Sequence, residues 1–105
     1  MALSKWIPES DPMILRRVGK TSEEASELVK VCSRITIQGM AGVDPATGVP
    51  NREALTKEIA DVMAQCDVCI DALGLDYDAI RRRMRDKVEQ MREWEAMFDQ
   101  APQEA

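Results

Sequence analysis

One interruption constrains this chain more than any other feature: GMAGVDPATGVPN, residues 39–51, dense in glycine, proline and aspartate. On either side of it apolar residues return at three-four spacing, and nowhere is there the strict alternation of a half-buried strand. Asp11 followed by Pro12 is a helix start, a capping side chain and then a proline in a turn that does not need its N–H. From there Ile14, Val18, Ala25, Leu28, Cys32 and Ile35 form an apolar stripe that ends near Gln38. Asn51 is placed to cap a second helix, 52–73, which stops at Gly74. Asp76 opens a third, 76–98, with Tyr77, Ile80, Met84, Met91, Trp94 and Phe98 on one stripe. The expected fold is all-α: a single domain, 1–105, of three long helices plus a short N-terminal segment, a helical bundle completed by dimerisation.

Composition narrows the function. A chain of 105 residues buries a modest core, so association with a second copy is a natural source of stability. The net charge of −5 argues against nucleic acid as a bulk electrostatic partner. No apolar run approaches the ~18 residues of a membrane span, and MALSKWIPESDP lacks the apolar stretch of a signal peptide. A cytoplasmic location is expected. Three cysteines is an odd number, and Cys66 and Cys69 fall in mid-helix, away from the helix start that would activate a thiolate. They are read as buried structural thiols. Trp6 is read as a packing residue against a neighbouring helix or subunit, ahead of a base-stacking role.

Two short motifs suggest phosphate chemistry, and they are incompatible. GKT at 19–21 has the ending of a phosphate-binding loop, but the glycine required five positions before the GK pair is Ile14, inside a helical pattern. It is no P-loop. The carboxylates that follow, EEASE at 23–27, survive closer inspection. At 100° per residue, Glu24 lies within about 40° of Val31, Ile35 and Leu28 and so points toward the core. Glu27 is on the edge of that stripe and Glu23 on its solvent side. The second helix is apolar almost all round and expects burial, yet Glu58 lies within about 40° of Val62 and Cys69, with Asp61 one turn on. Glu58 and Asp61 repeat the i, i+3 spacing of Glu24 and Glu27.

Unpaired carboxylates gathered between two helices cost several kcal/mol each in lost hydration, or protonate. A hard divalent cation resolves that, since oxygen ligands suit Mg²⁺ or Mn²⁺ and substrate phosphates complete the shell. Neither Glu24 nor Glu58 is expected to have a basic partner one turn away. On the third helix Lys87 interrupts the apolar stripe at its centre; it either snorkels or reaches an anionic substrate, and Arg83 at the stripe's edge offers the same.

The pattern EExxE, a spacer, then ExxD resembles the signature of the all-α nucleoside triphosphate pyrophosphohydrolases, the MazG-like group of small phage and bacterial type. It reads Glu23, Glu24 and Glu27 in EEASEL, then Glu58 and Asp61 in EIADV, and the likeness spans about residues 12–95. The resemblance implies Mg²⁺-dependent hydrolysis of a nucleoside triphosphate to the monophosphate and pyrophosphate. It implies Glu24, Glu27, Glu58 and Asp61 as metal ligands, with Glu23 an outer ligand or water-orienting base. It implies Lys87 as a phosphate contact, and a homodimer or dimer of dimers. The competing expectation is a non-catalytic helical interaction or regulatory module with structural carboxylates. A di-iron carboxylate bundle is a poor alternative, because its Glu-x-x-His pairs need histidine and this chain has none.

Overall fold

The computed structural model describes residues 5–99. It contains three helices in order, α1 (Pro12–Gln38), α2 (Asn51–Leu73) and α3 (Tyr77–Asp99), and no strand among the described residues. Residues 5–11 carry no regular secondary structure. The chain divides after Gly74 into two compact units, one holding α1 and α2 and the other α3.

Local chemistry sets the helix ends. The Asp11 carboxylate accepts from the Met13 N–H at 2.8 Å, with Pro12 in the first turn. Gly74 closes α2 in the left-handed conformation, φ 62°, ψ 39°, where a side chain would be strained. Asp76 caps α3, its carboxylate accepting from the Ala79 N–H at 3.0 Å.

The start of α2 departs from expectation. Pro50, extended at φ −60° and ψ 142°, holds the cap position without a side-chain hydrogen bond, and Asn51 is already helical. Asn51 does not cap because its amide is drawn into the hairpin, where it is fully buried. It donates to Gln38 Oε1 at 3.1 Å and to the Gly39 carbonyl at 3.0 Å, and accepts from Arg34 Nε at 2.8 Å. Arg34 continues to Asp44 at 3.3 Å. Asp44 in turn organises the loop, its carboxylate accepting from the Ala46 N–H and its carbonyl from the Gly48 N–H. One polar cluster therefore ties the end of α1, the loop and the start of α2 into an antiparallel hairpin.

The seam between α1 and α2 is narrower than the sequence suggests. Along α1 the half-buried or buried positions are Ile14, Arg17, Thr21, Glu24, Leu28, Val31 and Ile35, alternating in threes and fours, with Glu27 and Arg34 half-buried beside that row. Val18, Ala25 and Cys32, expected on the core stripe, are exposed. On α2, Ile59, Met63 and Val68 are exposed, and Cys66 and Cys69 are half-buried free thiols rather than buried ones. The reason is geometric. A single partner helix covers only a coiled-coil-like stripe, and both apolar arcs are wider than that. Val31 is the one buried apolar residue among the described residues. Trp6 is 98 % exposed, so it does not pack on α1 or α2.

Candidate functional site

The antiparallel hairpin brings the middle of α1 beside the first half of α2. Gln65 Nε2 approaches the Thr21 hydroxyl at 3.4 Å, which fixes the local register. One turn further along α1, Glu24 meets Glu58 and Asp61 from the facing helix. Ligand oxygens of these three carboxylates all lie within 4.8 Å of one another, the one such acidic or thiol group among the described residues. The Glu24 and Glu58 side chains are 18 % and 14 % exposed, against 40 % for Asp61, so the cluster is sunk in the seam and open on the Asp61 side.

The donor set is all oxygen, which suits a hard cation. Two oxygens across a Mg²⁺ ion stand about 4 Å apart, and across a larger cation about 5 Å. The three carboxylates, within 4.8 Å of one another, form an all-oxygen group on the scale of such a spacing.

Two lysines cap the cluster, which corrects the expectation of unpartnered carboxylates. Lys20 lies 3.4 Å from both Glu23 and Glu24, and Lys57 lies 3.3 Å from Glu58 and 3.1 Å from Asp61. The same device appears on both helices, a lysine four residues before an acid. The carboxylates hold each ammonium: Lys20 is raised above its ordinary value chiefly by its bond to Glu24, and Lys57 chiefly by its bond to Asp61. These lysines were legible in the sequence from their i, i+4 spacing. That order, cation before anion, is the weaker one on a helix and gives little signal.

The remaining expected residues sit apart from this focus. Glu23 is 61 % exposed on the solvent side of α1, held by Lys20. Glu27 is not among the converging three; it pairs with Lys30 at 3.3 Å. With Glu58, Lys57 and Arg34 it lines a cleft of about 480 Å³ between α1, α2 and the loop. Arg83 and Lys87 lie on α3, in the other unit, beside Ile80 and Met84 along an apolar hollow of that helix.

Comparison with protein-family models, with curated proteins and with solved structures gave no match for this chain. Among the described residues no helix is long and apolar enough to cross a membrane.

Proposed function

We propose that this protein is a Mg²⁺-dependent nucleoside triphosphate pyrophosphohydrolase, converting an NTP or dNTP and water to the monophosphate and pyrophosphate. The observation that carries the reading is the meeting of Glu24, Glu58 and Asp61 from two helices, in the positions where EExxE and ExxD fall. Motif spacing alone is common in helical proteins; convergence of its two halves is not a consequence of spacing.

In this reading Glu24, Glu58 and Asp61 hold the ion, and Glu27 joins them or acts through water. A bound Mg²⁺, or Mn²⁺ in its place, supplies charge neutralisation for the triphosphate, so a surface of net charge −5 does not repel the substrate. Glu23, on the solvent side of α1 and paired with Lys20, would orient a water and accept its proton as the water oxygen attacks phosphorus. The bond to pyrophosphate breaks on the opposite side and the leaving group departs as an anion. By the same resemblance Lys87, with Arg83 near it on α3, would be the phosphate contact. The protein works as a cytoplasmic homodimer or dimer of dimers.

The test is pyrophosphate release from a panel of NTPs and dNTPs with Mg²⁺, beside Glu58→Gln and Asp61→Asn. Release that depends on the metal and is lost in both folded variants supports the reading. No release from any nucleotide, with no thermal stabilisation by Mg²⁺ or Mn²⁺, sinks it. The second reading, a non-catalytic helical interaction module, is favoured by one observation: Lys20 and Lys57 already balance the clustered carboxylates as salt bridges.

A further inference from the structure

We propose that Lys57 is the internal counter-ion of the carboxylate cluster, which gives way to a divalent cation and then contacts the phosphates of the substrate. Resting on the pyrophosphohydrolase reading, this assignment puts a phosphate contact in the same unit as the carboxylates. Among the described residues, Lys20 borders the cluster, and Lys30, Arg34 and Lys57 line the cleft beside it. Their partners set them apart. Arg34 is committed to the hairpin end, through Asn51 at 2.8 Å and Asp44 at 3.3 Å. Lys30 is held by Glu27 at 3.3 Å, outside the converging three. Lys20 is shared, 3.4 Å from Glu24 and 3.4 Å from Glu23, so Glu23 remains to it whatever Glu24 binds. Of these cations only Lys57 is held entirely by members of the cluster, Glu58 at 3.3 Å and Asp61 at 3.1 Å.

Occupation of the cluster by a cation therefore takes both partners from Lys57 at once. A divalent ion and an ammonium on the same oxygens repel each other, and the ammonium is the one free to leave. The Lys57 side chain is 69 % exposed, on a flexible four-carbon stem with rotatable donors. Departure costs little, because an ion pair as exposed as this one contributes little stability. Lys57 and Glu58 both line the cleft of about 480 Å³, so the released ammonium stays beside the cluster, on the side where that cleft opens. A phosphate carried by the cation offers it a new partner, and lysine binds phosphate as a compact point charge. Lys57 thus acts with opposite signs in two situations. Without substrate it competes with the metal; with substrate it adds to phosphate binding. A lysine that only closes a surface salt bridge would not strengthen phosphate binding, and one that only contacts phosphate would not compete with the metal.

The experiment titrates Mn²⁺ into the full chain without nucleotide, following the free ion by electron paramagnetic resonance, for the wild type, Lys57→Met and Arg52→Met. Arg52 is exposed on α2, about 140° round from Lys57, so its loss removes the same charge away from the cluster. Lys57→Met is expected to tighten Mn²⁺ by about threefold, the worth of an exposed ion pair. Arg52→Met should leave the affinity within about 1.5-fold at physiological salt. Calorimetry with inorganic triphosphate and Mg²⁺ supplies the second readout, from a probe that carries phosphates and no base. Here Lys57→Met is expected to weaken binding by about tenfold, one contact between charged groups, and Lys57→Arg to retain it. Unchanged Mn²⁺ affinity in Lys57→Met overturns the exchange, and leaves the hydrolase reading standing if nucleotides are still cleaved. Tighter Mn²⁺ with unchanged triphosphate affinity overturns the phosphate contact. An effect of Arg52→Met as large as that of Lys57→Met overturns the assignment to Lys57, net charge being then the cause. Absence of Mn²⁺ and triphosphate binding in every protein overturns both proposals. Opposite shifts in a chain that cleaves no nucleotide uphold the exchange and sink the hydrolase reading alone.

Discussion

Removing the Asn51 amide tests whether the hairpin is held by its polar end. The side chain is fully buried and makes three hydrogen bonds, two to neutral acceptors and one from a guanidinium. At about 1 kcal/mol for each neutral bond and about 2 for the charged one, Asn51→Ala costs about 4 kcal/mol. That is a large part of the 5–15 kcal/mol by which a small domain is stable. The half-buried Arg34 also loses its Nε–H acceptor, whereas Gln38 and Gly39 are exposed and can turn to water. Urea unfolding followed by far-UV circular dichroism reads the change; at a slope of about 1–2 kcal/mol per M the midpoint falls by about 2–4 M. Asn51→Asp is the sharper control. It keeps the acceptor for Arg34 but replaces the amide donors with an oxygen facing two oxygens, so it should be as damaging as alanine. A loss below about 1 kcal/mol in Asn51→Ala, or full rescue by aspartate, would refute the assignment of the cluster as the clasp of the hairpin.

Other outcomes follow from the same geometry. Gly42→Ala should cost about 1 kcal/mol in the same urea assay, since a Cβ there would stand 2.8 Å from Gln38 Oε1 and 3.1 Å from the Asn51 amide nitrogen. Glu58→Gln should leave metal-free stability within about 0.5 kcal/mol, because its partner Lys57 is exposed, while abolishing any rise in melting temperature on adding Mn²⁺. The lysine caps give a pH signature. Both lysines are raised above the model-peptide value of 10.5 in the fold, so their contribution is complete below that pH and is lost as pH climbs past it. The urea midpoints of wild type and of Lys20→Met/Lys57→Met should therefore differ at pH 8 and converge above 10.5.

The helices could be read from the chain because their ends are local events. Asp11, Gly74 and Asp76 do in the fold what their chemistry says, through bonds to backbone groups a few residues away. The inward aim of Glu24 and Glu58 was equally local, since a helix of fixed pitch sets the face on which each residue lies. Asn51 was a capping residue by type, yet its bonds run to residues 12 to 17 positions distant, and no local rule contains them. Lys20 and Lys57 carry little signal for the opposite reason: an i, i+4 contact becomes significant only once Glu24 has met Glu58 and Asp61 across the seam.

By itself, then, the sequence determined three helices, the ends set by Asp11, Gly74 and Asp76, and the inward placement of Glu24 and Glu58, because backbone geometry and side-chain period are properties of short segments. Tertiary structure alone decided which part of each apolar arc is covered, which amide is drawn inward and which carboxylates come within 4.8 Å. Those depend on the register of one helix against another, and register is a property of the pair.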